Sequence, residues 1–485
     1  MLSETWICMV IIIFAISQPK ISTVESSSEA DKIQSLPGQP HVSFQQFGGY
    51  IQVHDKPHRA LFYYFVEAET NPSSNPLILW LNGGPGCSSI GVGAFTEHGP
   101  FITNYGESIT KNKYSWNREA NILYLESPAG VGFSYSTDKS FYNTLNDDIT
   151  AQDNLVFLQR WLDRFPQYKN NEFYIMGESY GGHYVPQLAE LILKSKVNFN
   201  LKGIGLGNPL LEYETDYNSV DEFYWSHGMI SDYVYQLRSS VCNNSKSSKQ
   251  SLRGCFSPDC ISVLIQISDE YSELDSIDPY YVIGDKCLSY NLSQPAFLTQ
   301  HQRSSISQIL RSLHMQKHQN NAYLYHQELD KCPEKNAEMY LNRKEVQKAL
   351  HARLVGVNQY RLCSPVVFDK YRTEDEEIPT INILGSLIKS GIQVFVYSGD
   401  QDSVIPFIGT RRLVDKLAKK LGLKTTVPYS SWFVGKQVGG WTQVYGHQLT
   451  YATIRGASHS TPTTQPKRSF VLFNSFLQGK PLPKA

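Results

Sequence analysis

Residues 173 to 196 read FYIMGESYGGHYVPQLAELILKSK, and the fold is decided there. A short apolar run, Phe173 to Met176, reads as a strand. It meets Gly177, Glu178, Ser179, Tyr180 and Gly181, a G-x-S-x-G, and then an amphipathic pattern of helical period. A serine placed between strand and helix sits on a sharp turn, with small neighbours that let the backbone bend and its oxygen project. The helix N-terminus behind it offers a positive dipole end to developing negative charge.

Working outward, further apolar runs end in small residues: LILWLN (77 to 82), ANILYLES (120 to 127), KGIGLGNP (202 to 209), QVFVYSGD (393 to 400) and YATIRGASH (451 to 459). Runs of this kind suit strands buried on both faces. Helical patterns lie between them, Asp147 to Arg164 and Thr410 to Leu421 among them, and Gly422 ends the second. Tyr50 to Val53 and Ala60 to Val66 flank a turn and predict a β-hairpin. Alternating strands and helices imply an α/β fold with a mixed, mostly parallel sheet covered on both faces. Residues 25 to 40 read as an extended lead-in. Residues 214 to 345 break the alternation with polar runs and most of the cysteines, and read as a helical insertion between core segments 41–213 and 346–485.

A serine hydroxyl needs a base, and the base needs an orienting group. In α/β hydrolases these follow in the order serine, acid, histidine. SGDQDS (398 to 403) and GASH (456 to 459) lie in that order, each just past a strand-like run, so the three groups fall at carboxyl ends of strands. His459 is the base this placement selects; His183, His227 and His447 read as surface or core histidines. Spacing alone does not separate Asp400 from Asp402: one would orient the base, and the other is free to cap the following turn. Asn82, Gly83, Gly84, Pro85 and Gly86 follow another strand, where successive glycines let backbone N–H groups approach a ligand; the second oxyanion donor would be Tyr180.

Composition excludes several classes. The 485 residues hold 44 Lys and Arg against 45 Asp and Glu, a formal net charge of −1, so no basic surplus points to nucleic acid and no acidic excess to disorder. Hydrophobic residues make up 41%, and charged residues, at 18%, fall below the roughly 25% usual for soluble proteins. Such a chain can bury a large core. Trp6 to Ile16 is too short for the ~20 residues that span a bilayer. It reads as a signal-peptide core, with residues 1–23 removed and no membrane anchor expected. Seven cysteines then remain, an odd number, and none is spaced as a zinc module, so disulfides are expected and neither metal nor cofactor. Sequons at Asn243 and Asn291 fit the same compartment.

WLNGGPGCSS, TEHGPF (96 to 101), SPAGVGFSYS (127 to 136), GESYGGHYVP, GNP (207 to 209), SGDQDSVIP and GASH, in this order, resemble the serine carboxypeptidase family, most closely its plant carboxypeptidase-like members. The resemblance runs from about His41 to the C-terminus. It implies an α/β-hydrolase fold with a helical cap, secretion or vacuolar targeting, and removal of single residues from the C-termini of peptides or proteins. By matching motif, Ser179 would be the nucleophile, Asp402 the orienting acid and His459 the base, with Gly84 and Tyr180 as oxyanion donors. Asn82, Gly83, Glu178 and Glu97 would hold the substrate's terminal carboxylate; an ungapped comparison with some members puts Thr96 in place of Glu97. Ser460 stands where many members have Glu. Family pairing would join Cys87 to Cys363, Cys242 to Cys260 and Cys287 to Cys332, leaving Cys255 unpaired, and a homodimer is allowed.

Two other readings use the same scaffold. An acyltransferase taking a glucose ester as donor is one, although the family's transferases resemble GDSY at the elbow and this chain has GESY. The other is a non-catalytic secreted binding protein, which would not need the intact serine, acid, histidine and glycine turn.

Overall fold

The computed structural model describes residues 28–287 and 332–485, apart from Pro57, Lys196 and Asn198. The signal-peptide segment 1–23 and the sequon at Asn291 lie outside the described residues. Six strands form the centre of one large sheet, in the order Asn121–Leu125, Leu77–Leu81, Phe173–Glu178, Leu201–Gly207, Gln393–Gly399 and Leu449–Ile454, all parallel. Antiparallel strands extend it on both sides. Arg59–Val66, Gln46–His54 and Lys32–Ile33 lie beyond the first, and Gln437–Tyr445 and Thr425–Val434 beyond the last.

Two cores explain why the central strands read as unbroken apolar runs. Leu77, Leu79, Leu81, Phe173 and Ile175 pack on one face, while their neighbours Ile78, Trp80, Tyr174 and Met176 pack on the other. Helices Asp147–Arg164 and Gly181–Lys194 cover the first face through Phe157, Leu158, Trp161, Val185 and Leu188, and Pro466–Leu477 covers the second through Leu472, Phe473 and Phe476. Side chains alternate across a strand, so covering both faces requires every position to be apolar.

One expectation is corrected, and one element was not foreseen. The core begins before His41: Ile33 and Leu36 are buried, and Asp31 accepts hydrogen bonds from Tyr63 Oη (2.7 Å) and Arg164 (2.6 Å). A polar stretch is held to the sheet here by ion pair and hydrogen bond, which no apolar pattern announces. The hairpin Thr425–Val434 and Gln437–Tyr445 was not read from the sequence at all, because most of its first strand faces outward.

Within 214–345 the described elements are all helical, including Tyr213–Ser226, Pro258–Glu273 and Pro333–Leu341. Tyr217, Val220 and Phe223 of the first join the core beneath the sheet. The structure contains the disulfides Cys87–Cys363, Cys242–Cys260 and Cys287–Cys332, and Cys255 is free and exposed. Asn243 Oδ1 caps helix Asn244–Leu252 through Lys246 N at 2.9 Å.

Buried acids give this fold a pH signature. Burial raises the carboxyls of Glu126, Glu97 and Asp216 to about 7, and it lifts Glu178 and Glu376 well above the ordinary range. Between about pH 4.5 and 7 the folded chain therefore holds more protons than the unfolded one, so stability falls as pH rises. Buried His98 is pushed down by desolvation and acts with the opposite sign below about 6.5, but it is one group against several. Moving Glu126 from 4.5 to about 7 corresponds to a loss on the order of 3 kcal/mol by neutral pH. Scanning calorimetry should give a Tm several degrees lower at pH 8 than at pH 5; an equal or higher Tm at pH 8 contradicts this.

Candidate active site

Ser179 ends the strand Phe173–Glu178 with φ of 60°, a left-handed conformation that a non-glycine residue adopts only when its surroundings impose it. Its N–H donates to Gly207 O (3.0 Å), and its carbonyl accepts from Gly182 N (2.9 Å) and Leu210 N (3.0 Å). The turn thus points the side chain out of the sheet at the mouth of helix Gly181–Lys194. Gly83 presses on this turn from the neighbouring strand end. A Cβ there would lie 2.3 Å from the Tyr180 amide nitrogen, so only glycine lets the Gly83–Gly84 backbone reach it. The Cys87–Cys363 bridge pins the same loop, together with Ser88 N to Leu362 O (2.7 Å) and Ser364 N to Gly86 O (2.9 Å).

His459 and Asp402 meet at the ends of the next strands. His459 Nδ1 lies 2.7 Å from Asp402 Oδ2, and the carboxylate is fully buried. Its remaining acceptor capacity is filled by Val404 N (2.8 Å), Ile405 N (3.3 Å) and Asn208 Nδ2 (2.8 Å). Asp400 does something else: it accepts from Gly456 N at 2.6 Å and fixes the turn before His459. The insertion closes on the imidazole, with Tyr280 O accepting from His459 N (2.8 Å) and the Tyr280 ring edge-on at 5.2 Å. Ser179 and His459 share a cleft of about 370 Å³, which Gly83, Gly84 and Glu178 also line.

A polar floor lies beside Ser179. Trp80 Nε1 donates to Asn82 Oδ1 at 2.6 Å, which orients the amide so that Nδ2 faces two carboxyls, Glu178 Oε1 at 2.8 Å and Glu97 Oε1 at 3.1 Å. Ser460 Oγ also donates to Glu178 Oε1 (3.2 Å). The two acids are bonded to each other as well, and both are buried. Desolvation raises Glu178 first, and the adjacent Glu97 charge adds to it; burial raises Glu97 to about 7. The pair therefore keeps a shared proton well above the usual carboxyl range. Glu178 lines the cleft, and Glu97 stands behind it at the end of the π-helical segment Ser89–Glu97. Thr96 turns away, its hydroxyl bonded to Val92 O.

The site so built has a projecting serine, a histidine with a buried acid, adjoining glycine backbone and a protonated carboxyl pair. A profile described as serine carboxypeptidase matches residues 37–479. The chain belongs to the serine carboxypeptidase family. It is 55% identical over 467 residues to serine carboxypeptidase-like 45 of Arabidopsis thaliana, covering 95% of each chain, and 53% identical over 469 residues to serine carboxypeptidase-like 46 of the same plant, covering 96% of each. Its fold is similar to that of Kex1(delta)p, a prohormone-processing carboxypeptidase from Saccharomyces cerevisiae, with a TM-score of 0.71 over 93% of this chain and 96% of that one at 21% identity.

Sequence reading missed several family-site neighbours. Asn208, inside the GNP motif, holds Asp402 with Nδ2 and accepts from Gly399 N (3.0 Å) with Oδ1. It adopts a left-handed φ of 40°, a conformation that asparagine tolerates. Trp80 and Tyr280 had no sequence signal, since their roles depend on contacts between distant segments, and Ser460 was noted only as a departure from the family's Glu. His183 is a core histidine bonded to Asp147 (2.9 Å), and His227 bonds Phe223 O (2.8 Å).

The hydrogen bonds separate the two acids. Asp402→Asn should lower kcat on the order of 10⁴, as loss of the orienting charge does in a serine triad. Asp400→Asn should keep kcat within a small factor and cost about 1 kcal/mol of stability. Equal losses of kcat in the two variants would contradict the assignment.

Proposed function

We propose that the chain is a secreted serine carboxypeptidase, cleaving single residues from peptide C-termini through an acyl-enzyme and working best in mild acid. Ser179 Oγ attacks the scissile carbonyl carbon while His459 takes its proton, and Asp402 holds the imidazole in position. The oxyanion is received by the N–H groups of Gly84 and Tyr180. Collapse breaks the C–N bond, and the leaving amine takes the proton from His459. Water, deprotonated by His459, then hydrolyses the ester and restores Ser179. Asn82, the Gly83 N–H and Glu178 hold the substrate's terminal carboxylate, with Glu97 bonded behind them.

One observation carries the reading: a buried carboxyl pair, oriented by Asn82, beside the serine. Two carboxyls next to a nucleophile repel an anionic ligand unless a proton is shared, and a shared proton turns them into donors to a carboxylate. An ester or acyl donor without a free carboxylate has no use for such a floor. Three disulfides support an oxidising compartment, outside the cell or in the vacuole.

The pH dependence follows from the shared proton. At mildly acidic pH the pair is protonated and binds the substrate carboxylate; as pH rises Glu97 ionises at about 7 and Glu178, raised further, after it, so repulsion grows and KM rises. An N-blocked dipeptide, its C-terminal amide and a glucose ester, assayed in parallel, test this. The acid should show a KM that climbs with pH, the amide a flat KM, and the glucose ester no transfer. Glu178→Gln should flatten the profile for the acid while Ser179 still reacts with a fluorophosphonate. An unchanged profile in that variant would remove the carboxylate-site assignment and leave the nucleophile standing.

A further inference from the structure

Behind the carboxyl pair sits a histidine that the proposed chemistry does not use. His98 closes the segment Ser89–Glu97, its N–H donating to Gly93 O at 3.1 Å. The ring is fully buried, stacked on Trp116 at 3.9 Å and met edge-on by Trp80 at 4.2 Å. Nδ1 lies 3.1 Å from the Tyr124 hydroxyl. On the far side Nε2 lies 4.0 Å from Glu97 Oε2, and neither atom has a hydrogen-bond partner among the described residues.

Counting hydrogens assigns the tautomer. Tyr124 Oη has one hydrogen, and His98 Nδ1 is its one side-chain neighbour within hydrogen-bond reach among the described residues, so placing that hydrogen toward Nδ1 satisfies both atoms. A neutral imidazole then carries its own hydrogen on Nε2, facing Glu97 Oε2. The opposite tautomer would strand the phenol hydrogen and set a nitrogen lone pair against a carboxyl oxygen. Burial among aromatic rings also keeps the imidazole uncharged, holding it well below its ordinary pKa.

We infer that His98 is a positioning residue that fixes where the shared proton resides: its Nε2–H supports Glu97 as the carboxylate, which leaves the proton on Glu178. The inference rests on the carboxylate-binding reading of this floor. Glu178 faces the cleft with Ser179 and His459, whereas Glu97 does not line it. A proton on Glu178 can be offered to the incoming carboxylate; one on Glu97 is spent inside the protein. Other titratable groups near the pair are His459, Tyr124, Tyr280 and Tyr397, with Asp278 and Glu334 on the same cleft wall, and burial keeps the three phenols protonated. His98 is thus the neutral donor directed at Glu97 alone.

KM against pH for the acid-ended dipeptide and its amide, in wild type, His98→Phe and His98→Gln, tests this. Phe keeps a ring between Trp80 and Trp116 without the N–H, while the Gln amide reaches to about where Nε2 lies. Without the donor the proton is drawn to Glu97 and held there to higher pH, so in His98→Phe the KM in mild acid should be several-fold higher and its alkaline rise should move up by about one pH unit. His98→Gln should stay near wild type, and the amide kinetics should not move in either. Fluorophosphonate labelling of Ser179 verifies that each variant is folded. A His98→Phe profile that superposes on wild type with labelling intact overturns the inference, as does an equal shift in His98→Gln. Should His98→Phe fail to label, Tyr124→Phe substitutes for it: freeing the tautomer should move the rise in the same direction by less, and no movement overturns the inference. A wild type whose acid and amide profiles coincide would refute the carboxylate reading itself, a different result from unshifted variants.

Discussion

The left-handed backbone at Ser179 is the constraint on which the cleft depends. A φ of 60° at a residue with a Cβ costs on the order of 1 kcal/mol or more, and it persists only because the surroundings leave no alternative. Three backbone hydrogen bonds fix the residue, and the Gly83 backbone packs against the next amide with no room for a side chain. Relaxing the turn would break these bonds and separate Tyr180 N from the Gly83–Gly84 loop. The serine's exposure and the two proposed oxyanion donors are therefore one structural feature.

The proposed chemistry makes opposite demands on pH. A base must be uncharged to accept the serine proton, which favours higher pH, while the carboxyl pair must hold a proton, which favours lower pH. The structure separates the two electrostatically. Asp402 is compensated by Asn208 and two backbone N–H groups, which stabilise its charge without adding cations beside His459. Glu97 and Glu178 have one amide, one hydroxyl and each other, with no cation among their hydrogen-bond partners. One acid is surrounded by donors and the other two share a proton, although all three are carboxyls within one site.

Legibility in the sequence followed burial. Strands covered on both faces wrote themselves as apolar runs, and the elbow, the acid-bearing turn and the GASH turn stood at their ends, so Ser179, His459 and the Asp400 or Asp402 alternative could be found from residues alone. Choosing Asp402 took a family resemblance, because only the fold shows that Asp400 is used up by Gly456 N. The hairpin at Thr425–Val434 and Gln437–Tyr445 left a weaker trace, two β-rich runs across the two-residue turn Gly435 and Lys436, with Gly435 at a φ of 62°. Asn208, Trp80 and His98 were beyond reach. Each acts on a residue from another segment, and pairwise contacts between distant segments leave no periodicity to read.

Ser460 ties the two halves of the site together. It follows His459 directly, and its hydroxyl donates to Glu178 at 3.2 Å, so the turn that sets the imidazole also touches the carboxyl pair. Movement of the insertion at Tyr280, whose carbonyl holds His459 N, would be felt at both places. Sequence comparison had suggested only that serine removes acidic character where many relatives carry glutamate. In the structure that position adjoins a buried pair already short of compensating charge, where a third carboxyl would have to be protonated or turned out to solvent. A neutral donor there has the opposite effect: it favours ionisation of both acids, whereas His98 faces Glu97 alone.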